Sequence, residues 1–194
     1  MTFLEKVLQL DRDLFFLINT KWSNRLFDLI LPYTREANVW IPFYLFLLIL
    51  MPLKHRKRGW FWILLAIVTG ACTDQMSSRL IKDHIFRIRP CGDKSLAGHI
   101  HFLVQYCPQS SSFTSSHAAN HFGFATFLFI TLRNYYGKGV WLIFLWAFII
   151  CYAQIYVGVH YPLDVIGGAI VGACIGYITA WIFNKYSRLE KIQN

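Results

Sequence analysis

Long apolar runs separated by short polar segments dominate the pattern of the chain. Five such runs cover residues 39–53, 60–71, 122–132, 140–152 and 163–183. Only the last reaches the roughly 20 residues of an ideal helical span, so the others need polar flanks, protein-lined depth or a locally thinner bilayer. The pattern predicts membrane-spanning helices over about 37–53, 60–80, 117–134, 139–157 and 163–184. Spans of this length exclude the strands of a barrel, so the membrane part is helical.

The first 36 residues carry a weaker apolar pattern. Apolar residues recur there at helical spacing, at Val7, Leu10, Leu14, Leu17 and Ile18. Segment 1–36 is therefore either an amphipathic helix in the membrane interface or, if its first 19 residues join with 26–31, an additional membrane segment. It mixes both signs of charge and lacks a small-residue cleavage site, which argues against a cleavable secretion signal. The sequence as a whole predicts one domain over 1–194, an all-α polytopic membrane helix bundle of five to six transmembrane helices.

Composition supports a membrane location and argues against a nucleic-acid partner. The 194 residues are 56% hydrophobic and 18% aromatic, unlike an ordinary soluble domain. The formal net charge of +9 would suit a nucleic-acid-binding protein. The basic residues, however, lie in short clusters between apolar runs rather than on one soluble face. Juxtamembrane charge is the simpler explanation.

The positions of the basic clusters predict the orientation in the bilayer. One cluster is 54–58, a second holds Arg133 and Lys138, and a third holds Lys185, Arg188 and Lys191. Pairs of predicted spans separate the three clusters, so all three can face the cytoplasm, where basic loops are enriched. The long loop 81–116 and the short loop 158–162 then share the extracytoplasmic side.

The five cysteines fall into two groups. Cys72, Cys151 and Cys174 lie in predicted spans, where a cysteine usually serves as a small buried hydrophobic residue. Cys91 and Cys107 lie in the long outer loop. In an oxidising compartment they form either a disulfide or two free thiols, and sequence does not give the distance that decides.

Three polar stretches fall on the same predicted membrane side. They are "KDHIFRIRP" with Lys82 and Arg89, "FTSSHAANH" with His117, and "VGVHYPLD" with His160 and Asp164. Lysine and arginine suit phosphate oxygens. A serine capping the helix that begins near His117 would turn free amides and a positive dipole end outward, which makes an anion site. Asp164, in the first turn of the last helix, would orient the His160 imidazole.

These stretches resemble the signature of the type 2 phosphatidic acid phosphatase superfamily, whose relatives include bacterial acid phosphatases, glucose-6-phosphatase and vanadium haloperoxidases. The family pattern is K-x6-R-P, then P-S-G-H, then S-R-x5-H-x3-D. The first motif matches fully at Lys82, Arg89 and Pro90. The second matches at Ser115 and His117, with Thr114 in place of proline and Ser116 in place of glycine. The third matches at His160 and Asp164, with Ala153 and Gln154 where the family has serine and arginine.

The resemblance implies a core like that of the acid phosphatases and haloperoxidases, and a role for each matched residue. His160 would be the nucleophile that becomes a phosphohistidine, Asp164 its orienting partner, and His117 the general acid. The phosphoryl oxygens would bind Lys82, Arg89 and the amides of 115–117, with Gln154 at the arginine position of the family. We expect no metal and no cofactor: His117 and His121 lack the glutamate of H-E-x-x-H, and paired carboxylates are absent from the sequence pattern.

Gln154 is the departure that matters most, because a neutral amide makes weaker hydrogen bonds to phosphate than a guanidinium does. Our sequence-based hypothesis is that Arg79 or Arg87 supplies the missing charge. Ser116 in place of glycine keeps its backbone N–H available if its φ is negative.

The expected function is a metal-independent lipid phosphatase of the bacterial inner membrane, with its active site on the extracytoplasmic side. By family analogy the first expected substrate is undecaprenyl pyrophosphate, followed by phosphatidylglycerophosphate, phosphatidate and the 1-phosphate of lipid A. Two different functions also fit the sequence, that of a lipid phosphotransferase and that of a catalytically silent lipid-binding or transport protein. The expected partners are membrane lipids and a lipid phosphate or pyrophosphate.

Overall fold

The computed structural model describes residues 2–189, and its regular elements are all helical. This confirms the predicted all-α fold. The α-helices are α1 Phe3–Phe16, α2 Arg25–Thr34, α3 Ile41–Gln75, α4 Ser116–Tyr136, α5 Leu142–Tyr156 and α6 Pro162–Tyr186. A π-helical turn, Met76–Ile81, extends α3 toward the long loop. Lys191 of the predicted third basic cluster lies outside the described residues.

Helix α3 consists of two antiparallel arms that reverse at Arg56. The backbone there leaves the helical region, with φ +51°. Immediately after the reversal, Gly59 packs on the carbonyl of Met51, and a Cβ at Gly59 would lie 2.1 Å from that oxygen. In one straight helix, residues eight apart would be separated by about 12 Å. The two arms therefore correspond to the predicted spans 37–53 and 60–80, with the basic cluster between them.

Helices α4 and α5 form a second antiparallel pair. The chain leaves α4 through Gly137, whose φ of +75° a residue with a side chain would rarely adopt. Ring contacts then pair the two helices in antiparallel register, with centroids 4.2 Å apart for Phe129 and Trp141 and 4.9 Å apart for His121 and Trp146. Within residues 2–189, three stretches are long and apolar enough to cross a membrane, Ala37–Ile81, Ser116–Tyr156 and Pro162–Tyr186. Because the first two each reverse once, they account for the five predicted spans.

Glycines bring α4 and α6 into direct backbone contact. A Cβ at Gly172 would lie 2.1 Å from the carbonyl oxygen of Ala119, and one at Gly176 would lie 2.2 Å from that of Gly123. A Cβ at Gly168 would meet the Ser115 carbonyl at 2.3 Å. Residue numbers rise together in all three contacts, so the two helices run parallel. Their N-termini, with positive dipole ends, therefore lie side by side at one end of the bundle.

The basic clusters meet at the opposite end of the bundle. The Nζ atom of Lys54 lies 5.3 Å from the ring centre of Tyr135 and 5.0 Å from that of Tyr136. Leu189, next to the tail cluster, belongs to the same buried cluster as Met51 and Leu132. The charged segments that the sequence assigns to one membrane side thus share one end of the fold.

The N-terminal segment lies across the end that carries the N-termini of α4 and α6. Asn19 donates to the carbonyl oxygens of His101 and Tyr156, each at 2.7 Å. Tyr156 in turn donates to Asp28 of α2 at 2.6 Å. In the described part of the chain, the three stretches able to cross a membrane all lie beyond residue 36. These polar contacts attach the segment before residue 37 to this end of the bundle.

Cys91 and Cys107 form a disulfide, with Cα atoms 5.8 Å apart. The bridge closes the outer loop on the end that carries the N-termini of α4 and α6. Of the bridged and free forms that the sequence leaves open, the structure therefore shows the bridged one.

The close contact of α4 with α6 predicts that replacing glycine by alanine lowers stability at this contact but not at an open helix surface. We expect Gly172→Ala to lower the free energy of unfolding by about 2 kcal/mol or more, because the added carbon must push two backbones apart. Gly70→Ala is the matched control, since a Cβ at this helical glycine meets no atom within 4 Å and alanine favours helix. Thermal unfolding in detergent followed by circular dichroism measures both. Equal melting temperatures for the two variants would contradict the packing described.

Candidate active site

The structure brings the predicted site residues together around the paired N-termini of α4 and α6. Lys82 follows the π-helical end of α3, and Arg89 lies in the long loop. Gln154 comes from the last turn of α5, and the remaining residues come from the starts of α4 and α6. The predicted residues found here are Lys82, Arg89, Ser115, Ser116, His117, Gln154, His160 and Asp164.

His160 lies in a buried turn between α5 and α6, with only 2% of its surface exposed. The carbonyl oxygen of Gln154 accepts the N–H groups of Val159 and His160, at 3.2 and 3.3 Å. Gly158 allows the chain to turn there, with φ +87°. The end of α5 thereby fixes the direction in which the imidazole points.

The Nε2 atom of His160 faces the guanidinium of Arg89, whose Nη1 lies 3.0 Å away. A guanidinium only donates hydrogen bonds, so Nε2 must be unprotonated and accept the hydrogen bond with its lone pair. The ring proton is therefore on Nδ1. Arg89 is itself held by the Val159 carbonyl at 3.1 Å and by Ser110 and Ser111 carbonyls at 2.9 and 3.2 Å.

Asp164 lies behind the other ring nitrogen. Its Oδ2 is 3.6 Å from Nδ1 of His160, which exceeds hydrogen-bond length. The hydroxyl of Ser112 lies between them, donating to Oδ2 of Asp164 at 2.5 Å and lying 3.4 Å from Nδ1. The amide of Tyr161 also donates to this oxygen, at 2.9 Å. Asp164 therefore lies on the Nδ1 side of the ring without a direct hydrogen bond to it, and Ser112 is an additional partner that the sequence did not single out.

Burial lowers the pKa of His160 to about 4, although the negative charge of Asp164 acts in the opposite direction. The imidazole is therefore neutral at neutral pH. Neutrality and the tautomer set by Arg89 agree, and both leave an electron pair on Nε2.

Arg87 binds two buried carboxylates rather than facing Gln154. Its Nη1 donates to Oδ1 of Asp164 at 2.6 Å, and its Nη2 donates to Oδ2 of Asp11 at 2.5 Å. Asp11 comes from α1, is 2% exposed, and also accepts the N–H of Leu163 at 2.8 Å. Arg79 is exposed. The hypothesis that Arg79 or Arg87 takes the place of the missing motif arginine is therefore not supported.

Lys82 is held by the residue that replaces the glycine of the second motif. Its Nζ donates to Oγ of Ser116 at 2.8 Å, and Ser78 lies 2.9 Å from the same oxygen. Burial lowers the pKa of Lys82 to about 8, and the charge of Arg89 acts in the same direction. Among the described residues other than glycine, only Arg56 has a positive φ. The φ of Ser116 is therefore negative, as required for its backbone N–H to remain available in place of that of a glycine.

Two backbone amides at the start of α4 are available to an anion. Ser115 caps the helix, accepting from the N–H of Ala118 at 3.4 Å. The N–H of Ser115 itself donates to the backbone carbonyl of Asp164 at 2.9 Å. The expectation that this amide binds phosphate is therefore wrong, because it joins α4 to α6. Ser116 and His117 follow it, before the first intrahelical hydrogen bond.

His117 lies within electrostatic reach of both Lys82 and His160. Its ring stacks on that of His121, with centroids 6.3 Å apart, and its carbonyl bonds to Nδ1 of His121 at 2.8 Å. Residues 2–189 contain no group of three or more His, Cys, Asp or Glu side chains arranged to hold a metal.

Gln154 is fully buried and binds an arginine from the N-terminal segment. Its Oε1 accepts from Nε of Arg35 at 3.3 Å. Arg35, like Asp11 and Ser112, was not identified from the sequence. For Arg35 and Asp11, no local pattern could have signalled contacts with Gln154 and Arg87, which lie 119 and 76 positions away. Ser112 does lie in the hydroxyl-rich stretch beside the second motif, which was the available signal.

Comparison with known proteins gives consistent similarities. The sequence model of the PAP2 superfamily matches residues 59–188. The chain is 32% identical over 152 residues to "Lipid A 4'-phosphatase" of Bacteroides thetaiotaomicron, covering 76% of this chain and 65% of that protein. It is 30% identical over 154 residues to "Undecaprenyl-diphosphatase" of Sulfolobus acidocaldarius, covering 77% of this chain and 66% of the relative. The chain thus spans slightly less than two thirds of each relative.

The crystal structure of Aquifex aeolicus LpxE is similar throughout. Its TM-score is 0.60 at 29% sequence identity, and the match covers 91% of this chain and 96% of that one.

The ion pair between Asp11 of α1 and Arg87 of the loop predicts that removing this one carboxylate lowers the stability of the protein strongly. We expect Asp11→Ala to lower the free energy of unfolding by about 3 kcal/mol, because it leaves Arg87 without one of its two buried partners. Asp13→Ala, on the exposed face of the same helix, should change it by about 0.5 kcal/mol or less. Denaturant unfolding in detergent measures both variants. A similar small change in both would show that α1 does not depend on this ion pair.

Proposed function

The chain belongs to the PAP2 superfamily, and from this membership and the geometry of the site we propose that it is a membrane lipid phosphatase. The observation that carries the proposal is the neutral His160 imidazole, with Nε2 at 3.0 Å from a guanidinium nitrogen and a buried carboxylate behind Nδ1. That arrangement gives an unprotonated nucleophile next to a cation, and the electron pair on Nε2 becomes available for attack when the Arg89 N–H turns to a phosphoryl oxygen.

In the first step, Nε2 of His160 attacks the phosphorus atom. The P–N bond forms as the bond from phosphorus to the lipid oxygen breaks, and His117 donates a proton to that oxygen. The imidazole becomes positively charged while Nδ1 keeps its proton. Asp164, with Ser112 between, stabilises that charge.

In the second step, water attacks the phosphohistidine. His117 takes a proton from this water as the P–N bond breaks, and the electron pair returns to Nε2. Inorganic phosphate leaves, and both histidines regain their starting states. Throughout, Lys82, Arg89 and the amides of Ser116 and His117 bind the phosphoryl oxygens, where charge shifts in the transition state.

We propose a phosphate of lipid A, or of a glycolipid like it, as the first candidate substrate. The similarity to a protein named lipid A 4'-phosphatase supports this choice. A groove of about 410 Å³, lined by Arg35, Glu36, Gln105 and Tyr106 among others, adjoins the site and offers polar groups to a sugar headgroup. Undecaprenyl pyrophosphate, expected first from family analogy, becomes the second candidate, supported by the undecaprenyl-diphosphatase relative.

We also propose that the site faces the extracytoplasmic side of a bacterial inner membrane. Two observations support this orientation. The basic clusters lie at the opposite end of the bundle, as cytoplasmic segments would. The disulfide of Cys91 and Cys107 lies at the site end, and disulfides persist in oxidising compartments.

Phosphate release tests the proposed function. Purified protein in detergent, with chelator present, is assayed on lipid A, undecaprenyl pyrophosphate, phosphatidylglycerophosphate and phosphatidate. We expect release from at least one of them, fastest from lipid A, and a loss of at least about 10³-fold in kcat for His160→Ala. Equal rates for both proteins would exclude His160 as the nucleophile. Transfer of phosphate to an added lipid acceptor would favour a phosphotransferase, and no turnover of any lipid would favour a silent lipid-binding protein.

The lowered pKa of Lys82 predicts a change in substrate affinity at alkaline pH. Lys82 is charged below its pKa of about 8 and loses its charge as the pH rises above it. We therefore expect kcat/KM to fall about tenfold per pH unit above that value. Lys82→Arg should remain charged to well above pH 10 and keep kcat/KM level over the same range. Parallel falls in the two proteins would assign the alkaline loss to another group.

A further inference from the structure

We propose that Arg35 supplies the positive charge that the superfamily motif places at position 154. The inference rests on the proposed phosphatase function and assigns to it a further substrate-binding residue, from outside the motif region 82–164. Arg35 follows α2, and its guanidinium reaches the side chain that stands at the motif position.

The contact with Gln154 fixes how both side chains are oriented. The guanidinium has no acceptor, so Gln154 must turn its carbonyl oxygen toward Nε of Arg35, at 3.3 Å. The amide nitrogen of Gln154 then points elsewhere, and it has no hydrogen-bond partner within the described part of the chain. A buried N–H donor without a partner is costly. A phosphoryl oxygen bound at this position would satisfy it.

The positive charge of Arg35 acts on other residues of the site. Arg35 interacts electrostatically with His117 and with Arg89. Its side chain is 14% exposed and also lines the groove that adjoins the site. Glu36 offsets part of the charge, at 3.5 Å from Nη1, but that carboxylate is 58% exposed and faces solvent. An anion entering from the groove would meet the guanidinium beside the Gln154 amide.

Helix α2 holds Arg35 in this place through α5. Tyr156, two residues beyond Gln154, donates to Asp28 at 2.6 Å and accepts the N–H of Asn24 at 3.0 Å. His101 lies 2.8 Å from the same Asp28 oxygen. Two contacts thus tie α2 and its N-cap to the helix that carries Gln154, and a third ties α2 to the long loop. Arg35 itself sits at the C-terminus of α2, where a positive charge is favourable.

A charge swap tests the inference. We expect Arg35→Gln to lower kcat/KM by about 10- to 100-fold, the worth of a charge-assisted hydrogen bond. The double variant Arg35→Gln/Gln154→Arg should recover at least half of that loss on a logarithmic scale, because it returns the charge to the motif position. A purely structural role for Arg35 would not be rescued in this way. Arg25→Gln, on the exposed face of the same helix, is the matched control and should equal wild type.

Binding of inorganic phosphate, measured by calorimetry on the purified proteins, gives a second readout that does not require turnover. We expect its Kd to rise by about 10- to 100-fold in Arg35→Gln and to stay unchanged in Arg25→Gln. Wild-type affinity in folded Arg35→Gln would overturn the inference, and so would a folded double variant no better than Arg35→Gln. A wild-type protein that binds phosphate but turns over no lipid would instead overturn the proposed function, while the calorimetric comparison would still decide the role of Arg35.

Discussion

The buried carboxylate of Asp164 is the constraint on which the rest of the site depends. A charge in such a place is tolerated only when it is paired and hydrogen-bonded, and here Arg87, Ser112 and the Tyr161 amide all donate to it. Its backbone carbonyl accepts the N–H of Ser115 and so joins the start of α6 to the start of α4. Satisfying one ion therefore brings the loop and two helix N-termini together, and the imidazole beside it takes its orientation from the same contacts.

The distribution of cations and anions divides the site into two layers. Arg87 lies in the rear layer, where Asp11 and Asp164 both bind it and little of its charge is left for a ligand. Lys82 and Arg89 form the front layer, bonded to neutral groups and so free to attract an anion. The N-terminal segment contributes to both layers, with Asp11 behind and Arg35 in front. Docking of α1 and α2 is thus part of building the site.

Features set by residues close together in the sequence could be predicted from it, whereas contacts between residues far apart in the sequence could not. Lipid demands continuous apolar helices, so the spans were visible as runs, and the reversals fell at the basic cluster and near Gly137. The motif residues were visible because short spacings at helix starts place them. Asp11 and Arg35 were not, since their partners Arg87 and Gln154 lie 76 and 119 positions away and both look like ordinary polar residues of an amphipathic segment. Ser115 shows the limit of local reasoning: the cap was predicted, but its amide is used between helices.

The disulfide has a consequence for how copies of the protein mature. Cys91 follows Arg89 by two residues, and Cys107 precedes Ser110, which holds that guanidinium, by three. The disulfide therefore joins the two loop segments that carry Arg89 and its partner Ser110. In the proposed orientation the site end of the bundle faces an oxidising compartment, where the bridge can form once the loop has crossed the membrane. With the proposed orientation, the redox state of the compartment and the geometry of the Arg89 contacts are thereby linked through one covalent bond.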